Sequence, residues 1–135
     1  MYKIRNQTFS KIPSEHEEQK ALVRYLKSKS IFFFAITNEN NTFKQNRKYA
    51  MIAEQKAKTQ GKLKGTPDLC IFLKDKILFM ELKVQRPLLK SGKLGTPRNK
   101  PTFEQLDFIE KSNKYKYCES YVAYGCDEAI EILGV

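Results

Sequence analysis

Cysteine and histidine are scarce in this chain, and their scarcity removes two common ways of stapling a small protein together. Cys70, Cys118 and Cys126 are odd in number and lack Cys-x-x-Cys spacing, and His16 is the one histidine. Neither a disulfide framework nor a zinc site is expected. Cys70 and Cys118 lie in strand-like runs, where a free cysteine is usually a small buried hydrophobe. Long apolar runs are also missing. Residues 31–36 and 77–84 are strand-sized, so no membrane-spanning helix is expected. The opening Met-Tyr-Lys-Ile-Arg-Asn-Gln has neither the apolar core nor the small-residue cleavage site of a secretory leader, and the expected location is the cytoplasm. Acidic residues run short, at 15 against 25 lysines and arginines, for a net charge of +10. That excess points to a polyanionic partner, nucleic acid first and an anionic membrane second. No internal repeat or low-complexity tract is present, and 135 residues suit one core better than two. One domain spanning residues 1–135 is expected.

What the chain does contain is organised around residues 65–84, Gly-Thr-Pro-Asp-Leu-Cys-Ile-Phe-Leu-Lys-Asp-Lys-Ile-Leu-Phe-Met-Glu-Leu-Lys-Val. Two apolar runs of strand length flank the polar break Lys74-Asp75-Lys76, which predicts a β-hairpin. Pro67 cannot donate a ladder hydrogen bond, so it belongs at the start of the first strand, with Asp68 at the strand mouth. Alternation in the second strand sends Leu78, Met80, Leu82 and Val84 to one face and Phe79, Glu81 and Lys83 to the other. Charges in so apolar a run need a partner. Asp68, across the hairpin, is a second carboxylate and worsens the repulsion unless a cation lies between them. Two hard oxygen donors on rigid strands suit Mg²⁺ or Mn²⁺. A lysine beside such an ion can hold or deprotonate an attacking water. The structural alternative is a Glu81/Lys83 pair on a solvent-facing sheet, with Asp68 a turn residue.

The rest of the chain supplies helices, further strands and positive charge. Residues 1–13 show no clear period and read as an N-terminal arm or a short edge segment. Ser14 offers an N-cap, followed by Glu15, Glu17 and Glu18, which suit the positive end of a helix running to about residue 28. Helical spacing places Glu15, Glu18, Gln19, Leu22, Tyr25 and Leu26 on one side. Residues 31–37 are apolar on both faces and predict a central strand covered by helices. Residues 38–41 read as a turn and residues 43–58 as a helix closed by Gly61, with Tyr49, Met51, Ile52 and Ala53 on its packed side. Lys44, Arg47, Lys48, Lys62 and Lys64 lead towards Asp68 with Glu54 the only acid among them. Residues 85–101 carry Arg86, Lys90, Lys93, Arg98 and Lys100 with no acid, broken by glycine and proline, and read as a mobile basic loop. Both basic stretches are candidate nucleic-acid contacts, against the alternative of a solvated face and a plain linker. Thr102 caps a helix over residues 103–113 with Phe103, Leu106, Phe108 and Ile109 as its stripe. A strand over 117–124 and a closing helix over 127–133 complete an α/β fold. Its mixed central sheet has about four strands flanked by helices.

A Glu-x-Lys triplet alone says little, since Glu54-Gln55-Lys56 is another. Pro67-Asp68, a hairpin, and then Glu81-x-Lys83 on an apolar strand together resemble the PD-(D/E)xK nuclease superfamily. Lys-Gly-Thr-Pro-Asp-Leu followed by Phe-Met-Glu-Leu-Lys is similar to its VRR-NUC branch. The resemblance spans roughly residue 14 to the C-terminus and is weakest after Val84. It implies a restriction-endonuclease-like αβββαβ core. It favours Glu15, in a Glu-x-x-x-Gln with Gln19, over Glu18 as a further acid near the metal, and implies that Gln105 reaches the site. By residue spacing alone Gln105 is an ordinary polar helix residue.

The expected activity is that of a metal-dependent DNA endonuclease. Asp68, Glu81 and the Leu82 carbonyl would bind Mg²⁺, with Mn²⁺ able to substitute, and Glu15 would hold the metal's water shell or a second ion. Lys83 would position the water, and Gln105 and Gln19 would orient neighbouring groups. The resemblance further implies a phage-type nuclease, since standalone VRR-NUC proteins of this size look like those, and family members are similar to enzymes selective for branched DNA such as four-way Holliday junctions. A homodimer would match the symmetry of such a substrate. The rival reading is a non-catalytic basic DNA-binding accessory protein of recombination or packaging; a nuclease acting on RNA is a third. Residue types leave open the preferred nucleic-acid structure and the number of metal ions.

Overall fold

The computed structural model describes residues 1–37 and 47–135. In chain order they form β1 (Tyr2–Ile4), β2 (Gln7–Phe9), α1 (Glu15–Ser28), β3 (Phe33–Ala35), α2 (Arg47–Thr59), β4 (Leu69–Phe72), β5 (Ile77–Lys83), α3 (Phe103–Ser112), β6 (Cys118–Tyr124) and α4 (Cys126–Leu133). Lys44, the helix start at Phe43 and the turn expected at residues 38–41 lie outside the described residues. Four strands make one mixed sheet in the order β3-β4-β5-β6, and β1 and β2 form a separate hairpin. β4 runs antiparallel to β5 with Leu69 opposite Met80 and Phe72 opposite Ile77. β5 and β6 are parallel, Ile77 opposite Cys118 and Lys83 opposite Tyr124, and α3 is the crossover between them. This is the restriction-endonuclease-like α/β arrangement expected.

The alternation in β5 decides the layers. Leu78, Met80 and Leu82 are fully buried with Leu69 and Ile71 of β4, Leu22 and Leu26 of α1, and Cys126, Ala129 and Leu133 of α4. Each such aliphatic side chain contributes about 1.5–3 kcal/mol of burial. On the other face α3 covers β5 and β6: the Phe108 ring meets Phe79 edge-on at 5.2 Å, and Ser112 and Asn113 hydrogen-bond to Ser120. Ser14 caps α1 through its hydroxyl and Glu17 returns the bond, closing a capping box.

Several expectations are corrected. The apolar run at residues 31–37 yields a short strand at the sheet edge, not a central one, because among the described residues β3 pairs with β4 alone. Among the described residues no helix covers its second face, and Phe32 and Phe34 are exposed and stack against Phe72 at ring distances of 5.1 and 6.2 Å. Helix α2 buries none of its residues, so Tyr49, Met51 and Ile52 face outward. On α3, Phe103 and Leu106 are also exposed, and the covered side is the one bearing Gln105, Phe108 and Ile109. The N-terminal arm is a hairpin whose turn puts Arg5 at φ +54°, and Ile4 joins the core. No Asn-Gly announces that turn; the Arg5 N–H instead donates to the Asp127 carboxylate at 3.0 Å.

Glu18, one of the two candidate helix acids, is fully buried and capping α4. Gly125 precedes α4 without a side chain to offer, and the Glu18 carboxylate accepts the Cys126 N–H at 3.3 Å. Gln85 donates to the same carboxylate at 3.2 Å and to the Lys3 carbonyl at 3.2 Å. A carboxylate at a helix N-terminus satisfies an orphan donor and favours the dipole. Glu18→Ala strands the Cys126 N–H and the Gln85 amide, and is expected to lower stability by about 1–3 kcal/mol in urea titration. Glu18→Gln, which keeps an acceptor oxygen, is expected to lose less.

Candidate active site

Asp68 is held from three directions. Pro67 before it is fully buried, its own carbonyl accepts the Ile36 N–H at 2.9 Å, and its carboxylate Oδ2 accepts the Leu82 N–H at 2.8 Å. One step beyond the last β4–β5 pair, the register sets Asp68 opposite Glu81. Opposed residues share a sheet face, here the face that carries α3. Glu81 is only 3% exposed and Lys83 9%. The Lys83 ammonium lies 3.5 Å from Glu81 Oε1.

Gln105 reaches this pair through its capping box. The Gln105 Oε1 accepts the Thr102 N–H at 2.9 Å, which turns the amide nitrogen outward, and Nε2 donates to Glu81 Oε1 at 2.7 Å. The cap that starts α3 therefore also orients the β5 carboxylate. Gly65, to which no role fell in the sequence, fixes the spacing between the two: a Cβ there would lie 2.4 Å from the Glu104 backbone carbon, and its φ is +86°. The only signal for it was a glycine two residues ahead of Pro67.

Burial raises all three acids at this end of the sheet, and repulsion from Asp68 adds to it at Glu81 and Glu15. Desolvation lifts Glu81 first, Asp68 adds to it, Lys83 counteracts, and Glu15 adds again, leaving Glu81 pushed up to about 7. Asp68 is raised by burial against the pull of the Leu82 N–H and of Lys83. Glu15, half-buried on the first turn of α1, is raised by burial and by Asp68, with Lys83 opposing. One ammonium thus faces three carboxyls. Glu15 is the α1 acid whose charge couples to the site, whereas Glu18 is engaged at α4. Gln19 makes no hydrogen bond to these acids among the described residues; it lines a shallow surface depression with His16, Lys20, Val23 and Arg24.

The donor set suits a hard cation bound largely through water. Among the described residues no three His, Cys, Asp or Glu side chains gather as a metal-holding group. Asp68 and Glu81 are available, and because the Leu82 N–H points at Asp68, its carbonyl projects to the same strand edge. Two carboxylates and a carbonyl fit Mg²⁺, which keeps several waters, better than an ion that demands an all-protein cage.

The basic residues divide. Arg47, Lys48, Lys62, Lys90, Lys93, Arg98 and Lys100 are exposed. Lys64 lies 3.8 Å from Glu104. Arg86 is used internally, its guanidinium 4.6 Å above the Tyr124 ring and 3.4 Å from Glu128. Residues 85–101 form neither helix nor extended ladder, yet a Leu88–Leu94 bridge folds them back on themselves.

No model of a known protein family matches this sequence, and no curated protein matches it. A solved structure described as a "VRR_NUC domain protein" superposes with a TM-score of 0.64 at 21% identity, over 92% of this chain and 88% of that one. The two share a fold. Among the described residues no helix is long and apolar enough to cross a membrane.

The raised Glu81 makes stability depend on pH. Its folded-state value of about 7 lies above the ordinary 4.5, so between those values the folded chain keeps a proton that the unfolded chain has lost. Stability of the metal-free protein therefore falls as pH rises through that window and levels off above it. Asp68 and Glu15 act in the same direction. Urea midpoints measured in chelator are expected to drop between pH 5 and pH 8, and Glu81→Gln is expected to flatten the drop and exceed the parent at pH 8.

Proposed function

We propose that this chain is a metal-dependent endonuclease acting on DNA, hydrolysing phosphodiester bonds at the end of the sheet where β4 begins and β5 ends. The observation that carries the reading is the crowding of the buried Glu81 against the half-buried Asp68, with Glu15 within their field and Lys83 the one opposing charge acting on Glu81 among the described residues, in a protein of net charge +10. Such a group stores repulsion and is hard to account for unless a cation joins it. Asp68, Glu81 and the Leu82 carbonyl would hold Mg²⁺ or Mn²⁺. The ion would supply polarisation of the scissile phosphate and a bound water of lowered pKa.

Each protein group has work of its own at this position. Lys83 is placed to donate to an attacking water or a phosphate oxygen, and its charge offsets the negative charge that grows in a pentacoordinate transition state. Gln105 keeps Glu81 in one rotamer by holding Oε1, and the Glu81 carboxylate so oriented would help hold the cation. Glu15 can accept from waters around the ion. The exposed lysines and arginines of α2, of residues 62–64 and of residues 90–100 bind the DNA backbone, and binding through them weakens steeply with salt. The uncovered aromatic face of Phe32, Phe34 and Phe72, with the unburied α2, favours a homodimer. Two such sites would face two opposed strands, which suits four-way junctions and other branched DNA.

Cleavage of labelled junctions, flaps, duplexes and single strands with Mg²⁺ tests the site. Glu81→Ala and Lys83→Ala are each expected to lower the rate by on the order of 100-fold or more while duplex binding survives. Unchanged cleavage in both variants overturns the assignment. Binding without any metal-dependent cleavage by the parent protein would favour a non-catalytic DNA-binding module. Sedimentation equilibrium is expected to give twice the chain mass, falling to one chain mass for Phe32→Lys.

A further inference from the structure

The finger that follows β5 carries an apolar surface the proposed chemistry does not use. Its base is tied down at each step: Gln85 to Glu18, Arg86 to Tyr124 and Glu128, and the Leu88 N–H to the Tyr2 hydroxyl at 3.4 Å. It is then closed on itself. Leu88 bridges Leu94, the Leu89 N–H donates to the Lys93 carbonyl at 2.9 Å, and Gly92 takes φ +83° to make the turn. Leu88, Leu89 and Leu94 are nonetheless 39, 51 and 62% exposed. Bridged residues share a face, so Leu88 and Leu94 stand side by side. Leu89 leans over Gly95, its Cδ2 3.1 Å from where a Cβ would be.

We infer that this finger inserts its leucines into the base stack of bound DNA beside the scissile phosphate. The inference rests on the nuclease reading for the position of the DNA. Charge selects the occupant: beyond the internally used Arg86, residues 87–101 expose Lys90, Lys93, Arg98 and Lys100 and hold no acid, so what meets the finger is a polyanion. Continuity selects the place. Leu88 is five residues beyond Lys83 in the chain, a span of at most about 18 Å. Apolar side chains wedge between base steps and kink or open a duplex, with flanking cations on the phosphates. A loop that only gripped the backbone would need the lysines and gain nothing from three outward leucines.

Fluorescence of 2-aminopurine, which brightens when a base unstacks, reads this directly on a branched duplex in magnesium-free buffer. Saturating parent protein is expected to raise the signal at bases next to the branch. Leu88→Ala/Leu89→Ala/Leu94→Ala is expected to lose at least four-fifths of that rise at saturation while the slope of log K against log salt is unchanged. Lys90→Ala/Lys93→Ala is expected to behave oppositely, keeping the saturated signal while the slope falls by about 2. Should the triple variant fail to fold, Leu94→Ser, at the most exposed of the three, gives the same readout. A full rise in the leucine variant overturns the inference, as does a leucine variant that turns a dimer into a monomer, which would place these side chains between copies. Unstacking is expected to persist in Glu81→Ala, so that loss of the proposed cleavage site and loss of the wedge are separately visible.

Discussion

The structure turns on two carboxylates forced to share one buried corner. Asp68 ends up opposite Glu81 because the hairpin register puts it there, and neither can swing away. The Leu82 N–H holds one and the Gln105 amide the other. A single lysine at 3.5 Å from Glu81 offsets only part of the repulsion, and Glu81 is left titrating near neutrality. Burial of like charges is destabilising unless something joins them. Everything around the corner serves to keep it in place: a buried proline before Asp68, a glycine pressed on the α3 backbone, and a capping box whose glutamine does two jobs.

That double use of Gln105 links local helix chemistry to the site. A Thr-x-x-Gln start satisfies orphan N–H groups at the head of α3. Because Gln105 also bonds Glu81, the angle at which α3 meets the sheet and the rotamer of the carboxylate are set by the same side chain. Phe108, one turn on, packs on Phe79 and fixes the helix over β5. A shift of α3 would therefore be felt at Glu81 before it was felt in the core on the opposite face.

Sequence reading recovered what depends on period and local chemistry, and missed what depends on neighbours. Strict alternation was enough to put Glu81 and Lys83 on one face of β5, and Pro67 to put Asp68 at the strand mouth. Ser14 and Thr102 announced their helices. By contrast, an apolar run at residues 31–37 reads the same whether its second face meets a helix or is left open, and among the described residues it is open. Tyr49, Met51 and Ile52 have helical spacing, but spacing cannot say whether anything lies opposite. Glu15 and Glu18 are three apart on one helical side; only the approach of α4 assigns Glu18 to a cap and leaves Glu15 within the field of Asp68. Arg86 looked like one more cation of a basic run, and only the nearby Tyr124 and Glu128 give it another use.

Glu18, Gln85 and Arg86 join the Asp68–Glu81 corner to the finger beyond it. Gln85 lies two residues past Lys83, and its amide ties that point to α1, to the N-terminal hairpin and, through Glu18, to the head of α4. Arg86 adds β6 and α4. β5 therefore does not simply end at the lysine; its exit is clamped to elements on the core side of the sheet. A clamp at this point isolates the corner from whatever moves in the finger beyond it, so that load on the leucines and lysines is taken up by α1 and α4 before it reaches Glu81. Rigid carboxylates and a tethered, projecting finger are compatible in one short chain because these three side chains stand between them.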